Sequence, residues 1–323
     1  MKYFLGIDVG SSKTHALIAD ESGRCVGFGK SGGGNHQGVG YERLKQVLKE
    51  SFKGAKQMSG VENAQIAAAG FGMAGYDFPS DRADHLQCIA ALRLSCPVEL
   101  VNDGMNGLLA GATRGIGVNV TAGSSNNCRG RNKAGKEGRV SGNGIRFGEF
   151  GGALEIVERG LQMVDYAWIK RIPPTALTRI YVQAAGAADA MDLIDGLSSG
   201  RYRLSSRLVM QVIEAARAGD GAAQDVVHWA GEELGWLAVS VARQIEMEND
   251  AVEIIQSGSV FDAGEIIISP LRNLVLQHCP RAKLIRLDGP PAVGAVILGM
   301  EQVNFDGYAV RDSMVRTAKE LVR

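Results

Sequence analysis

The chain has 323 residues, of which 45% are hydrophobic, so it is long enough for two domains with substantial cores. Its 35 Lys and Arg residues balance 35 Asp and Glu residues, which argues against nucleic acid or an anionic membrane as the main partner. No apolar run approaches the roughly 18 residues of a membrane span, and Met1-Lys2 leads directly into a strand. We therefore expect a soluble, cytoplasmic protein.

Glycine is unusually frequent, and cysteine is sparse. The 43 glycines exceed the usual share of about 7% and lie at the ends of apolar runs, a pattern typical of loops that approach a ligand closely. The five cysteines show no C-x-x-C spacing, and the histidines show no metal-ligand spacing. We expect free, buried thiols and no structural zinc site.

The first thirty residues predict three strands joined by tight turns. The first strand carries Asp8 and ends at Gly10, residues 11–14 are Ser-Ser-Lys-Thr, and strands follow over 16–19 and 24–30. Because this glycine turn joins two strands, it differs from a Walker A loop or a dinucleotide fingerprint, in which the turn opens a helix. Exposed N–H groups and small hydroxyls predict a phosphate cradle, and Asp8 is suited to hold hydrated Mg²⁺. The alternative is a plain hairpin with a solvated turn.

The following segments alternate strands and helices. A flexible glycine loop over 31–40 precedes a helix whose apolar face starts at Tyr41, and a strand is predicted over 65–72. Ser80 is the predicted cap of a helix that runs to Leu94, and a strand over 97–102 leads into a helix from Asp103 to about Thr113.

The opening pattern then repeats. A strand over 117–122, a polar turn over 123–127 and strands over 128–131 and 136–140 match the first hairpins. A mainly helical region over 151–247 follows, then strands over 252–257 and 283–287 that flank a helix within 259–276. Helices from Pro290 to Leu298 and over 305–321 end the chain. We predict domains at 1–115 and 116–290, with 291–323 packing back on the first, and a ligand cleft between them.

Five blocks of sequence, in this order, resemble the BadF/BadG/BcrA/BcrD ATPase family, which belongs to the superfamily of acetate and sugar kinases, heat-shock chaperone ATPases and actin. The blocks are residues 6–14, 34–40, 101–111, 256–261 and 291–295. The resemblance implies an α/β fold of two duplicated ribonuclease H-like (actin-like ATPase) domains with a central cleft and a helical insertion in the second. The family includes N-acetylglucosamine, glucosamine and N-acetylmuramic acid kinases.

The resemblance implies an ATP-dependent kinase of a sugar or amino sugar, with ATP and Mg²⁺ as cofactors and a homodimeric assembly. It gives Asp103 the role of general base and Asp8 that of organising Mg²⁺. The implied ATP-binding residues are Gly10, Ser11, Ser12, Lys13, Thr14, Gly123, Ser124, Ser125, Ser257, Gly258 and Ser259. The implied substrate-binding residues are Asn35, His36, Asn102, Asp103, Gly144 and Glu149. Taken alone, Asp103 could instead cap its helix, and Lys13 and His36 could be solvated.

The chain departs from the family pattern at three positions. Ser125 replaces a glycine in the second phosphate loop (residues 123–128), Glu149 replaces an aspartate, and Phe150 replaces an acid. A side chain at 125 is expected to crowd the ligand or strain the backbone. One alternative function is a nucleotide- or sugar-binding regulatory protein with a degenerate active site. Another is an ATPase activator of an iron–sulfur dehydratase or reductase, for which Cys128 lacks a companion cysteine.

Overall fold

Two five-stranded sheets of the same plan organise the computed structural model, which describes residues 1–322. The first sheet has the order β3-β2-β1-β4-β5 and the second β10-β9-β6-β7-β8. The strands are β1 (Tyr3–Val9), β2 (Lys13–Asp20), β3 (Cys25–Gly32), β4 (Ile66–Met73), β5 (Val98–Asn102), β6 (Gly117–Ala122), β7 (Asn126–Arg131), β8 (Glu137–Arg139), β9 (Glu253–Ser257) and β10 (Lys283–Arg286). In each sheet three antiparallel strands are followed by two parallel ones. The predicted duplicated α/β fold is confirmed.

Helices cover both sheets, and five of them form the predicted helical insertion between β8 and β9. The helices are α1 (His36–Ser59), α2 (Arg82–Ala90), α3 (Asp103–Gly111), α4 (Ala153–Trp168), α5 (Ala176–Ala185), α6 (Ala190–Ser198), α7 (Val209–Arg217), α8 (Gly221–Gln244), α9 (Glu265–His278), α10 (Ala292–Glu301) and α11 (Arg311–Val322). The largest core joins β6 and β7 to α4, α7, α8 and α9. This core fixes the position of the second phosphate loop, since β6 and β7 flank it.

The C-terminal helices α10 and α11 pack back on the first sheet. Every residue from Ala292 to Met300 is buried, which explains why α10 is apolar on all sides. Gly6 and Gly70 let α10 approach closely, because a Cβ at either position would collide with the α10 backbone. Val296 and Met314 share a core with Phe4 of β1. The domain boundaries at 115 and 290 themselves stay predictions.

Three predicted helix boundaries are wrong. α1 begins at His36, inside the predicted glycine loop, because Asn35 Oδ1 accepts the N–H of Gln37 as an N-cap; Gly40, with φ 77°, then interrupts the helix. Ser80 does not cap α2. The Asp81 carboxylate instead accepts the N–H groups of residues 77 and 78, and α2 begins at residue 82. It ends at Ala90, before a turn in which Arg93 has a φ of 54°.

Within residues 1–322, no helix combines the length and apolar character that crossing a membrane requires.

Candidate active site

A cavity of about 340 Å³ opens between the two sheets, at the ends of β1, β4, β5 and β6. Of the residues predicted from sequence, eleven line it: Gly10, Ser11, Ser12, Lys13, Asn35, Asp103, Gly123, Ser124, Ser125, Gly258 and Ser259. The predicted residues that do not line it are Asp8, Thr14, His36, Asn102, Gly144, Glu149 and Ser257. Lining residues that the sequence predictions missed include Gln37, Asp77, Thr121, Asn126, Asn127 and Gly142.

The first phosphate loop (residues 10–14) is a tight turn between β1 and β2. Gly10 N–H donates to the Lys13 carbonyl at 2.8 Å, which closes the turn and leaves the side chains of Ser11, Ser12 and Lys13 exposed to the cavity. Thr14 is different, because its side chain is fully buried and donates to the Gly32 carbonyl at 2.9 Å. Residues 10–13 can therefore meet a phosphate directly, and the Thr14 hydroxyl stabilises the hairpin behind them.

The second phosphate loop repeats this arrangement on the other sheet. Gly123 N–H donates to the Ser125 carbonyl at 2.9 Å. The first N–H groups of α4, at Ala153 and Leu154, donate to the carbonyls of Gly123 and Ser124 at 2.9 and 3.0 Å. The loop thus lies at a helix N-terminus, whose partial positive charge favours an anion. Ser125 is exposed and keeps a negative φ, so it does not carry the backbone strain expected from its sequence.

The two loops meet across the cavity. Ser12 Oγ and Ser124 Oγ lie 3.0 Å apart, within hydrogen-bond distance. Two glycine turns with facing hydroxyls, one from each sheet, can bind successive phosphate groups of a single ligand from opposite sides.

Asp103 is the first residue of α3 and its carboxyl lines the cavity. The N-cap of α3 is Asn102, whose Oδ1 accepts the N–H of Gly104 at 2.9 Å; Asp103 Oδ1 accepts the same N–H at 3.0 Å but lies within the helix as its first residue. Burial raises the pKa of Asp103 to about 7; the nearby Asp8 carboxylate adds to the rise, and Arg129 opposes it. A carboxyl with this pKa is suited to accept and release a proton near neutral pH.

Asp8 lies near the end of β1, behind the first phosphate loop. Burial raises the pKa of Asp8 to about 6, while the Asn106 side chain, which donates to Asp8 Oδ1 at 2.7 Å, lowers it. Asn106 Oδ1 is buried and has no hydrogen-bond partner among residues 1–322. In the part of the chain that the structure describes, no three His, Cys, Asp or Glu side chains form a group that could hold a metal ion. A single carboxylate such as Asp8 can hold Mg²⁺ only where water and phosphate oxygens supply the other ligands.

Asp77, which the sequence predictions missed, connects the two sheets beside the cavity. It lies in the loop after β4, and its Oδ1 accepts Arg129 Nη2 of β7 at 2.6 Å, with both side chains less than a tenth exposed. Gln37 donates to Asp77 Oδ2 at 3.2 Å, and Arg139 of β8 donates to the Asp77 carbonyl. Acidic residues that follow two neighbouring parallel strands meet at one edge of the sheet. Asp77 follows β4 as Asp103 follows β5, so its position in the sequence could have predicted it as a site residue.

The predicted sugar loop divides between the cavity and an aromatic cluster. Asn35 lines the cavity and donates to Ser11 Oγ at 3.4 Å. His36 stacks on Tyr41 with ring centroids 4.5 Å apart and meets His85 edge-on at 4.8 Å. His36 is half-buried, so the solvated alternative does not describe it, and its ring supports the loop that presents Asn35.

Glu149 is buried and its carboxylate is used within the protein. Its Oε1 accepts the N–H groups of Ser141 and Gly142 at 2.5 and 3.2 Å, and its Oε2 accepts that of Gly144 at 2.9 Å. These bonds hold the 141–144 turn, of which Gly142 lines the cavity. Phe150 packs against Trp229, with ring centroids 5.2 Å apart.

The third predicted nucleotide segment follows β9. Ser257 is buried, and its Oγ lies 2.9 Å from Thr121 Oγ1. Gly258 has a φ of 97°, and a Cβ there would collide with the backbone of Ala122 at the end of β6. Only glycine combines this φ with this close approach. Gly258 and Ser259 consequently reach the cavity, and Ser257 anchors them.

Two sheets of one plan, a glycine turn from each and a carboxyl between them define the class of actin-like ATPases and sugar kinases. The chain belongs to the BadF/BadG/BcrA/BcrD ATPase family, whose model matches residues 5–299. The resemblance drawn from the five sequence blocks is confirmed.

Three similar proteins illustrate the relationship. The chain is 26% identical over 304 residues to an N-acetylmuramic acid/N-acetylglucosamine kinase of Clostridium acetobutylicum, which covers 94% of this chain and 99% of the relative. A proposed N-acetylglucosamine kinase from Chromobacterium violaceum superposes with a TM-score of 0.72 at 21% identity, over 92% of this chain and 99% of its own. A ROK family glucokinase from Streptomyces griseus, in complex with glucose and AMPPNP, superposes with a TM-score of 0.62 at 18% identity, over 93% of this chain and 99% of its own. The two solved structures share the fold.

Proposed function

We propose that the protein is an ATP-dependent kinase whose substrate is an amino sugar of the N-acetylglucosamine type. The observation that carries this proposal is the position of Asp103, whose carboxyl lines the cavity shared by the two phosphate loops. The Clostridium acetobutylicum relative, named for its action on N-acetylmuramic acid and N-acetylglucosamine, matches nearly the whole chain and supports this substrate class.

In the proposed complex, the phosphates of ATP lie on residues 10–13 and 123–125. The facing hydroxyls of Ser12 and Ser124 supply hydrogen-bond donors, and the N-terminus of α4 behind the second loop supplies partial positive charge. Gly258 and Ser259 lie next to the adenosine. On the acceptor side Asn35 contacts the sugar, while His36, Asn102, Gly144 and Glu149 shape the loops around it.

The proposed reaction is one proton transfer coupled to one phosphoryl transfer. The Asp103 carboxylate accepts the proton of a sugar hydroxyl as the hydroxyl oxygen bonds to the γ-phosphorus of ATP. The bond from that phosphorus to the bridging oxygen breaks, which gives sugar phosphate and ADP. Because little covalent chemistry is required of the protein, positioning and charge dominate catalysis. The pKa of Asp103, raised to about 7, favours proton transfer near neutral pH.

Mg²⁺ is the proposed metal, with Asp8 as the residue that holds it through its water shell. The single carboxylate, supported by Asn106 at 2.7 Å, matches the preference of Mg²⁺ for oxygen ligands that are mostly water and phosphate. When bound, Mg²⁺ supplies charge neutralisation at the phosphates. The chain itself positions Asp8 by the pairing of β1 with β2 and β4.

We further propose that the protein works as a cytoplasmic homodimer without nucleic acid or membrane partners. The balanced charge, 35 basic against 35 acidic residues, supports the absence of nucleic acid and anionic membrane partners.

The test of the proposed function is ADP formation by purified protein with Mg²⁺ and ATP against a panel of sugars. The panel contains N-acetylglucosamine, glucosamine, N-acetylmuramic acid and glucose. Turnover that depends on one amino sugar supports the proposal. ATP binding without turnover on any amino sugar contradicts it and favours the regulatory alternative.

A further inference from the structure

Strand β7 presents two polar side chains to the opposite half of the molecule. Asn127 and Arg129 are two residues apart, so they lie on the same face of the strand. Arg129 Nη2 donates to Asp77 Oδ1 at 2.6 Å, with the side chains 8% and 6% exposed. A buried ion pair of this kind adds little stability on balance, but it fixes the relative position of its partners.

Hydrogen bonds lead from this pair to the first turn of α3. Asp77 Oδ1 also accepts Asn102 Nδ2 at 3.1 Å, and Asn102 Oδ1 caps the Gly104 N–H at 2.9 Å. Asn127 Nδ2 donates to Asn102 Oδ1 at 2.8 Å and to Asp103 Oδ1 at 3.3 Å. The residues before and after Asp103 are therefore tied to β7 of the second sheet.

The stem of Arg129 packs on the same turn. A Cβ at Gly104 would lie 2.8 Å from Arg129 Cγ, so the absence of a side chain at 104 makes room for the arginine. Arg139 completes the contact from β8, since it donates to the Asp77 carbonyl and lies over the Phe78 ring at 4.7 Å. The loop after β4 is thus held from two strands of the second sheet.

We propose that Arg129 is a positioning residue for Asp103, which it holds in place from the opposite sheet through Asp77 and Asn102. The inference rests on the proposed function, in which Asp103 is the base. Because the network spans both sheets, it is complete only while the two halves are together. An open cleft then lacks an ordered base, which limits phosphoryl transfer to water.

The test compares three variants. Arg129→Met leaves Asp77 buried without its cation, so the double variant D77N/R129M removes both charges and avoids an unpaired buried carboxylate. Arg131→Met is the matched control. Arg131 lies on the same strand and joins the same two halves through Glu301 at 3.3 Å, but it does not touch the start of α3.

We expect kcat to fall about 10²-fold in R129M and in the double variant, since a small displacement of a catalytic group has this effect. We expect the KM for ATP to stay within about twofold, and R131M to keep its kcat within about twofold. If the ion pair only stabilises the fold, the double variant should instead regain the wild-type kcat. That result, or an equal loss of kcat in R131M, overturns the proposal.

A second readout does not depend on activity. Amide hydrogen exchange over residues 102–106 should be faster in D77N/R129M than in the wild type and unchanged in R131M, because only the former loses the tie to α3. If the wild-type protein shows no sugar-dependent turnover, the proposed function is rejected. The exchange rates then decide the positioning role alone, and unchanged exchange in the double variant rejects it.

Discussion

Asn106 Nδ2 donates a hydrogen bond to Asp8 Oδ1 over 2.7 Å, and Asn106 lies three residues after Asp103 on α3. One nine-residue helix therefore carries the proposed base and the side chain that holds the proposed metal carboxylate. The spacing of the two acids is set by this helix and by strand β1. Burial raises both pKa values, to about 6 at Asp8 and about 7 at Asp103, and the Asp8 carboxylate adds to the rise at Asp103.

The rate should fall in mild acid. Asp103 acts as a base only when ionised, and its raised pKa means that the active form is present above about pH 7 and is lost as the pH falls through that value. We expect kcat/KM to drop about tenfold per pH unit below 7. A pH–rate profile checks this, with ATP binding measured over the same range as the control. A profile that stays flat to pH 5 contradicts the role of Asp103.

Removing the charge of Asp8 should weaken the response to Mg²⁺. We expect D8N to raise the Mg²⁺ concentration for half-maximal rate by about tenfold or more, and N106A to do so to a smaller extent. Asp20→Asn is the matched control, because Asp20 lies at the far end of the same hairpin and bonds Ser22 and Arg24. Mg²⁺ titrations of the turnover rate measure the effect. Equal Mg²⁺ requirements in D8N and D20N would remove Asp8 from the metal site.

Restoring the family glycine at position 125 should gain little. Ser125 is exposed and has a negative φ, so the serine neither strains the turn nor fills buried space. We expect S125G to leave the KM for ATP within about twofold of the wild type. Steady-state kinetics at saturating sugar provide the measurement. A KM that falls tenfold or more would show that the serine crowds the nucleotide.

Glu149 should matter for stability through the turn it holds. Its carboxylate accepts three backbone N–H groups, and a glutamine offers only one oxygen to them. We expect E149Q to lower the free energy of unfolding by about 2 kcal/mol, since hydrogen bonds to charged groups contribute at this level. Urea denaturation measures the loss, with E158Q, an exposed acid on α4, as the control. A raised sugar KM at unchanged stability would indicate direct substrate contact by Glu149.

Local sequence patterns predict most of the strands and helices of this fold, and the pattern of the first half recurs in the second. Hydrophobic runs bounded by glycine turns mark the strands. Asp8 lies near the end of β1 and Asp103 directly after β5, and these positions mark both as candidate site residues. The predicted start of a helix is wrong where a side chain outside the apolar periodic run caps the helix, as Asn35 does for α1. Nothing in the apolar periodicity distinguishes such a cap from a loop residue.

The part of the site built between the sheets is not predictable from local sequence. Arg129 and Asp77 are 52 positions apart, and only the closed arrangement of two halves places them at 2.6 Å. A charged residue between Cys128 and Gly130 in a buried strand is a signal that a partner exists, because burying a lone cation is costly. It does not say which acid is that partner.

Sugar-dependent ADP formation by the wild type and by D103N, measured side by side with ATP binding, decides whether the protein is a kinase with Asp103 as its base. We expect turnover on an amino sugar by the wild type and a loss of about 10³-fold in kcat in D103N, with ATP affinity retained. Undiminished turnover in D103N, or no turnover by the wild type on any amino sugar, would contradict this expectation.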